Sequence, residues 1–261
     1  MPEPSRYTFG DSSVAARRLD KLAEAWKPPS TAFLRGDVPR GRPLALDLGC
    51  GPGHTTRLLA STTGAETTVG LDTSETFLAR ARAGAPDGIT FLRHDVTDVP
   101  FPTPPADLVY SRMVLSHVPR PDRVVAAWIG QLEQGGVLAL DEVEWIRTDD
   151  PVLARYLELL DAVLAARGGV LAVGPLLEGL NGGPGAKQRT SRVRLHPVST
   201  AVAAELFGLN LATWRDDSHA RAHHTSSELD DLDAQLQSLT RRPGRAEITW
   251  GMRQMTFERT R

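Results

Sequence analysis

The sequence predicts an α/β fold built on a parallel sheet. From Leu44 onward, short apolar segments alternate with segments of helical periodicity, as in repeated βαβ units. The first apolar segment runs directly into a glycine-rich turn, and aspartates follow the next two. The length of 261 residues, with 41% hydrophobic and 24% charged residues, suits a single folded domain.

Seven segments are predicted to be strands. Five apolar segments come first, and two segments with alternating apolar residues follow after residue 190. They are residues 44–48, 67–71, 89–92, 108–111, 136–142, 191–196 and 248–257.

The segments between them have helical periodicity or turn composition. An N-terminal helix is predicted over residues 11–35, with a break at Pro28 and Pro29. Ser74, Asp150 and Ser199 (or Thr200) are expected as N-caps of later helices. The later helices are predicted at 55–60, 74–83, 120–134 (ended by two glycines), 151–164 and 200–214, with a loop at 181–185 and a surface helix and loop at 221–245.

Charge and cysteine content exclude several classes of function. Thirty Lys and Arg against 32 Asp and Glu give a net charge of −2, so no nucleic-acid partner is expected. The single Cys50 excludes an internal disulfide and a zinc site built from several thiolates, and no metal is expected. Without a leader pattern or a long apolar segment, the sequence predicts a cytoplasmic protein that does not enter a membrane.

The segment LALDLGCGPGHTTRLLA, residues 44–60, is the most informative. Gly49, Gly51 and Gly53 allow a tight turn and a close approach of the main chain to a ligand. His54 stands where the dinucleotide fingerprint requires a third glycine, and no lysine between positions 27 and 187 supplies a triphosphate-binding loop. Asp47, which precedes the turn, suits a cationic amine better than a pyrophosphate.

Two further aspartates follow the next two strands. Asp72 stands at a position where a carboxylate can hold the two hydroxyls of a ribose. Asp95 follows 23 residues later, and its carboxylate can accept a hydrogen bond from an adenine amine. Each aspartate alone is more typical of a helix cap or a turn, but all three beside one glycine turn favour a nucleoside site.

The segments LDLGCGPG, VGLD, HDVTDVPF, DLVYSRMVLSHV and GGVLALDE occur here in this order. Together they resemble the class I S-adenosylmethionine-dependent methyltransferases, and in particular the branch that acts on small molecules. The resemblance covers residues 43–145. It implies a doubly wound, mostly parallel sheet of seven strands, the last antiparallel, with helical cap elements.

The resemblance also implies which residues contact S-adenosylmethionine. The glycine turn and Asp47 are expected at its methionyl end, and Asp72 at its ribose. The remaining expected contacts are Thr73 and Asp95 at the adenine, the backbone of Val96 at the adenine edge, and Ser111 near the methionine amine and the transferred methyl group.

The acceptor is expected beyond the carboxyl ends of the fourth and fifth strands. Glu142 and Glu144 share one face there, and His117 follows in SHVPRP. Glu142 and His117 are the candidate catalytic residues, although capping and packing roles are open for both. Tyr7 and Trp26 are candidates to close over the cofactor, and Arg112 to pair with an acidic acceptor.

The expected organisation is a single methyltransferase domain. Residues 1–42 form an N-terminal helical cap, 43–145 the cofactor-binding core, 146–190 a helical insertion over the substrate site, and 191–261 the last strands and helices. Residues 110–113, YSRM, depart from the [DN]-P-P-[FYW] of enzymes that methylate nucleic acids and some proteins, so those substrates are disfavoured. Self-association into a homo-oligomer is compatible with this sequence.

The predicted function is methyl transfer to an oxygen or nitrogen of a small organic molecule, such as a secondary metabolite. One alternative is a nucleoside-binding module without transferase activity. A nicotinamide-dependent reductase is disfavoured, since no tyrosine is followed by lysine four residues later.

Overall fold

A computed structural model of the protein describes residues 9–180, 183, 185–241 and 246–260. Helices and strands alternate along most of the chain. The strands are β1 Leu44–Leu48, β2 Thr67–Asp72, β3 Ile89–Arg93, β4 Ala106–Arg112, β5 Leu132–Thr148, β6 Ala186–Ser199 and β7 Ala246–Arg259. The helices are α1 Ser13–Asp37, α2 His54–Thr63, α3 Glu75–Arg82, α4 Pro121–Ile129, α5 Pro151–Ala166, α6 Gly174–Glu178, α7 Thr200–Trp214, α8 Ser218–His223 and α9 Ser226–Leu239, with a 3-10 helix at Leu115–His117.

The strands form one sheet in the order β3-β2-β1-β4-β5-β7-β6. Neighbouring strands from β3 to β5 are parallel, whereas β7 runs antiparallel to both β5 and β6. The predicted fold class is therefore confirmed, including the antiparallel last strand. The chain reverses its direction of winding between β1 and β4, and in open α/β sheets ligands bind beyond the strand ends at such a point.

Several local sequence signals determine helix ends as predicted. The side chain of Ser74 accepts a hydrogen bond from the backbone N–H of Phe77 at the start of α3. Asp150 caps α5, with Pro151 at the first helical position, and Ser199 caps α7. Each cap satisfies backbone N–H groups that have no partner within the helix.

The predicted break at Pro28 and Pro29 is wrong, because α1 continues through both prolines to Asp37. A proline inside a helix leaves the carbonyl four residues earlier without its usual donor. Trp26, just before the prolines, packs edge to face against His196 of β6, with the ring centres 4.9 Å apart. Phe33 and Leu34, beyond the prolines, are buried against the sheet, and this packing keeps the last turns helical.

The predicted helix over 120–134 is also wrong in its second half. Helix α4 ends at Ile129, and Leu132 already pairs with Ala106 of β4. Gly135, with φ of +78°, lies at a register shift in β5 instead of ending a helix. The pairing with β4 and β7 stabilises the extended form of this segment, which local periodicity does not reveal.

A second apolar layer lies beyond the sheet, where α5, α7 and α9 pack with α1 and the ends of β5 and β7. The segment predicted as a surface helix contributes to it, because Leu232 and Leu236 of α9 are fully buried. Residues 242–245 of that prediction, and 181, 182 and 184 of the predicted loop, lie outside the described residues. None of the helices in the described part combines the length and the apolar character needed to cross a bilayer.

Candidate active site

A cavity of about 860 Å³ opens at the carboxyl ends of β1 to β5. Its size is near the upper end of the range of roughly 300–1,000 Å³ for small-molecule sites. One half is formed by the turns after β1, β2 and β3. The other half is formed by the ends of β4 and β5 together with α1, α5, α7 and β7. The cavity therefore has room for two ligands side by side.

The glycine turn after β1 has the geometry that its sequence predicts. Gly49, Gly51 and Gly53 all have positive φ angles, of +68°, +51° and +84°. A Cβ atom at Gly49 would lie 2.5 Å from a methyl carbon of Val114, so a larger residue does not fit. Gly49 and Gly51 line the cavity, whereas Gly53 is packed against Phe91 outside the lining.

Asp47 lies beneath this turn and outside the cavity lining. Thr55 and Thr56 both donate their hydroxyl hydrogen bonds to its Oδ2, at 2.6 and 2.7 Å, which fixes the start of α2 below the turn. Its Oδ1 is buried without a hydrogen-bond partner among the described residues. Burial raises the pKa of Asp47 to about 6, although both threonine hydrogen bonds oppose this.

Asp72 reaches the cavity from the end of β2. Its Oδ2 accepts a hydrogen bond from the N–H of Gly51, and its Oδ1 accepts one from Ser74, both at 2.8 Å. Burial raises its pKa, and these backbone N–H groups oppose the shift. The carboxylate is therefore held rigidly, and each oxygen retains a lone pair for a ligand. Thr73 also lines the cavity.

The turn after β3 brings Asp95 and Val96 to the same cavity. Asp95 Oδ1 accepts hydrogen bonds from the backbone N–H and the hydroxyl of Thr97. The carbonyl of Val96 accepts a 2.7 Å hydrogen bond from the indole N–H of Trp128, which fixes this turn.

Ser111 and Glu142 are completely buried and do not line the cavity. Glu142 Oε1 accepts hydrogen bonds from the backbone N–H groups of Val114 and Leu115, at 3.0 and 3.2 Å. Burial raises the pKa of Glu142 to about 8. Glu142 thus holds the turn that follows β4, and the structure places it behind the cavity wall instead of at the expected acceptor position.

His117 lines the cavity, where its ring meets Phe9 edge to face at 5.4 Å. Burial, with the nearby Arg18 guanidinium, lowers the pKa of His117 to about 3. The imidazole is therefore neutral at pH 7. A group with so low a pKa is a weak base but remains a hydrogen-bonding group.

Glu144, like Glu142, points away from the cavity, because side chains along a strand alternate between its two faces. Its carboxylate forms a two-pronged ion pair with Arg253 of β7, with both N–O distances at 2.7 Å. Val143 and Ile146 line the cavity instead, and a register shift between Val143 and Trp145 separates them. Arg112 reaches the cavity as expected and donates a hydrogen bond to Ser30.

Sequence reasoning missed most of the apolar side of the cavity. Trp26, which was expected to close over the cofactor, lines this apolar side together with Leu160, Phe207 and Trp250. Their sequence signal is only the periodicity of buried helices and strands, which also describes ordinary core residues. Tyr7 lies outside the described residues. No group of three or more His, Cys, Asp or Glu side chains suited to a metal ion occurs in the described part of the chain.

Comparison of the sequence with known proteins gives matches to part of the chain. Residues 46–140 match the family model of a methyltransferase domain. A curated relative, trans-aconitate 2-methyltransferase of Methylobacterium nodulans, is 36% identical over 127 residues, which cover 48% of each chain. The match therefore spans about half the length of this relative.

Solved structures with the same fold cover nearly the whole chain. Phosphoethanolamine N-methyltransferase 2 of Haemonchus contortus, in complex with S-adenosyl-L-methionine, has a TM-score of 0.59 at 17% identity and covers 100% of this chain and 61% of its own. The [4+2]-cyclase SpnF has a TM-score of 0.55 at 19% identity, with 99% and 89% covered. At these identities the likeness concerns the fold alone, and the two names show that the fold carries different reactions.

Proposed function

We propose that this chain, whose residues 46–140 match a methyltransferase domain, transfers a methyl group from S-adenosylmethionine to a small organic acceptor. The main support for this proposal is a single cavity with two halves. The glycine turn and Asp72 border one half, and mainly apolar side chains border the other. Related trans-aconitate 2-methyltransferases support an oxygen atom of a small molecule as the methyl acceptor.

The residues of the first half fit S-adenosylmethionine. At Gly49, where a Cβ atom would clash with Val114, the bare main chain borders the cavity. We propose that Asp72 holds the ribose hydroxyls, and that Thr73, Asp95 and the Val96 backbone contact the adenine. Asp47, with its unpartnered buried Oδ1, would act from beneath the turn on the methionyl amine, directly or through water.

When bound, S-adenosylmethionine supplies an electrophilic methyl group on a sulfonium. The protein then has to orient the acceptor behind that group and exclude water, and orientation alone can lower a barrier by about 7–11 kcal/mol. His117, neutral and facing the cavity, is proposed to orient the acceptor. Glu142 and Ser111 are proposed as positioning residues, because they lie behind the turn that contains Met113 and Val114.

The proposal predicts that S-adenosylhomocysteine stabilises the protein. At a free concentration one hundred times its Kd, it should add about 2.7 kcal/mol to the free energy of unfolding, measured as a rise in Tm. Asp72→Ala should weaken binding at least about tenfold, because it removes charge-assisted hydrogen bonds. Asp87→Ala, an exposed aspartate outside the cavity, is the control.

Two results would contradict the proposal or narrow it. A Tm rise with NADPH and none with S-adenosylhomocysteine would identify a nucleotide-dependent reductase instead. Binding of S-adenosylhomocysteine without transfer of labelled methyl to any component of a metabolite extract would favour a nucleoside-binding module.

A further inference from the structure

The acceptor half of the cavity is mainly apolar. We use this name for the part bordered by α1, α5, α7, β7 and the segments after β4 and within β5. Its wall includes Trp26, Met113, Val143, Leu160, Phe207 and Trp250. Val143 and the four residues from α1, α5, α7 and β7 lie outside the matched family segment, so all of this wall except Met113 comes from parts of the chain that the family model does not cover.

Aromatic contacts hold this wall in one arrangement. The rings of Trp26 and Trp250 meet edge to face at 5.1 Å, and Phe207 lies 5.9 Å from Trp250. Tyr156 stacks on Phe207 from behind at 4.1 Å. Rings packed in this way keep a fixed shape, and a ligand of similar width gains by burying its own apolar surface against them.

No carboxylate borders the acceptor half among the described residues; the acidic residues of the lining belong to the cofactor half and its rim. His117, with its pKa near 3, is too weak a base to deprotonate an alcohol or an ammonium group. The acceptor atom must therefore be nucleophilic in the form in which it enters. A carboxylate meets this requirement at neutral pH.

Two guanidinium groups border the acceptor half. Arg18 donates a 3.1 Å hydrogen bond to Asn210 and lies 4.3 Å from the centre of the Phe9 ring. Arg112 donates a hydrogen bond to Ser30, and its positive charge opposes the rise in pKa that burial causes at Asp47 and Asp141. Because Arg18 is already bonded to Asn210 and the charge of Arg112 is shared with Asp47 and Asp141, little positive charge remains to offset a ligand, which favours one carboxylate over three. Three carboxylates would have to be buried against leucine, valine and tryptophan side chains, at a large desolvation cost.

Resting on the proposed function, we propose that the acceptor is a monocarboxylic acid with an apolar body the size of one or two rings. A carboxylate oxygen forms the new bond to the methyl carbon, and the carbon–sulfur bond breaks with its electron pair going to sulfur. The products are a neutral methyl ester and S-adenosylhomocysteine. No proton is transferred, which agrees with a cavity half that lacks a base.

The test is calorimetric binding to the full chain, with and without saturating S-adenosylhomocysteine. The probes are benzoate, cyclohexanecarboxylate and 2-naphthoate as ring acids, and trans-aconitate as a tricarboxylate. At least one ring acid should bind more tightly than trans-aconitate and should become a methyl ester when S-adenosylmethionine is supplied. The corresponding alcohol, 2-naphthalenemethanol, should gain no methyl group.

Two glutamine substitutions on α5 test whether ring acids bind against the apolar wall. Leu160→Gln places an amide in the apolar wall and should weaken ring-acid binding about tenfold. Ala162→Gln, on the exposed side of the same helix, should leave it unchanged. The Tm rise with S-adenosylhomocysteine should persist in both variants, which demonstrates that each is folded.

Three results would overturn the inference: tighter binding of trans-aconitate, no binding of any ring acid, or equal effects of the two substitutions. A different result would show that the proposed methyltransferase function itself is wrong. In that case S-adenosylhomocysteine would not bind, and ring acids would still be tested against the unliganded protein.

Discussion

Glu142 is a buried carboxyl group that holds the turn after β4. Its Oε1 accepts hydrogen bonds from the backbone N–H groups of Val114 and Leu115, and the nearby hydroxyl of Ser111 also favours its ionised form. Burial first, and then the negative charge of Asp141, disfavour its ionised form. The protein therefore keeps Glu142 largely neutral at pH 7, as suits a residue that positions a turn.

Glu142 should make stability depend on pH. Its pKa is about 8 in the folded protein, against 4.5 for the ordinary group, so the unfolded chain releases this proton at lower pH. The stabilisation is complete below pH 4.5 and is lost as the pH rises to about 8, by about 1.4 kcal/mol per pH unit for one such group.

Glu142→Gln imitates the protonated form and should remove this dependence. The free energy of unfolding, measured by urea denaturation from pH 5 to 8, should fall less steeply in the variant than in the parent. Parallel curves for the two proteins would show that Glu142 is ionised in the folded state.

Among the secondary-structure elements, α1 departs furthest from local expectation. It contains two prolines but continues for 25 residues, and it supplies Leu22 and Trp26 to the cavity wall. The ring of His196 in β6 packs edge to face on Trp26 at 4.9 Å, and Ser30 of α1 donates a hydrogen bond to Asp141 of β5. Contacts with two strands thus hold the helix on both sides of the prolines.

On the scale of the whole molecule, the cavity depends on the attachment of α1 to the sheet. The hydroxyl of Ser30 donates a 2.8 Å hydrogen bond to Asp141 of β5, a buried carboxylate that also accepts from Tyr110 and Gln254. Arg112, on the cavity wall, donates to the same hydroxyl. This network joins the cap helix, the sheet and the cavity.

Ser30→Ala should therefore loosen α1 relative to the sheet. Loss of a hydrogen bond to a buried carboxylate should lower the free energy of unfolding by about 1–3 kcal/mol. Hydrogen exchange measured by mass spectrometry should become faster over residues 13–37 than over β1 and β4. Thr31→Ala, which removes a hydroxyl bonded within α1 to Lys27, is the control and should leave the difference between α1 and the sheet unchanged.

The sequence alone determined the sheet and its ligand edge. Apolar strands, helix caps and the glycines of the turn are local signals, because a positive φ or a capping side chain acts within a few residues. The same signals predicted that Asp72 and Asp95 would reach one edge, since parallel strands end together, and the resemblance to methyltransferases added Thr73 and Val96. All four line the cavity. His117 and Arg112 reach that edge as well.

Only the tertiary structure decided which side chains of that edge face the cavity. Glu142, Glu144 and Ser111 point into packed surroundings because each strand alternates between two faces, and contacts from other elements determine which face borders the cavity. The continuity of α1 and the extension of β5 depend on partners one hundred or more residues away. Such contacts leave no mark on local periodicity, and they also build the apolar wall that we assign to the methyl acceptor.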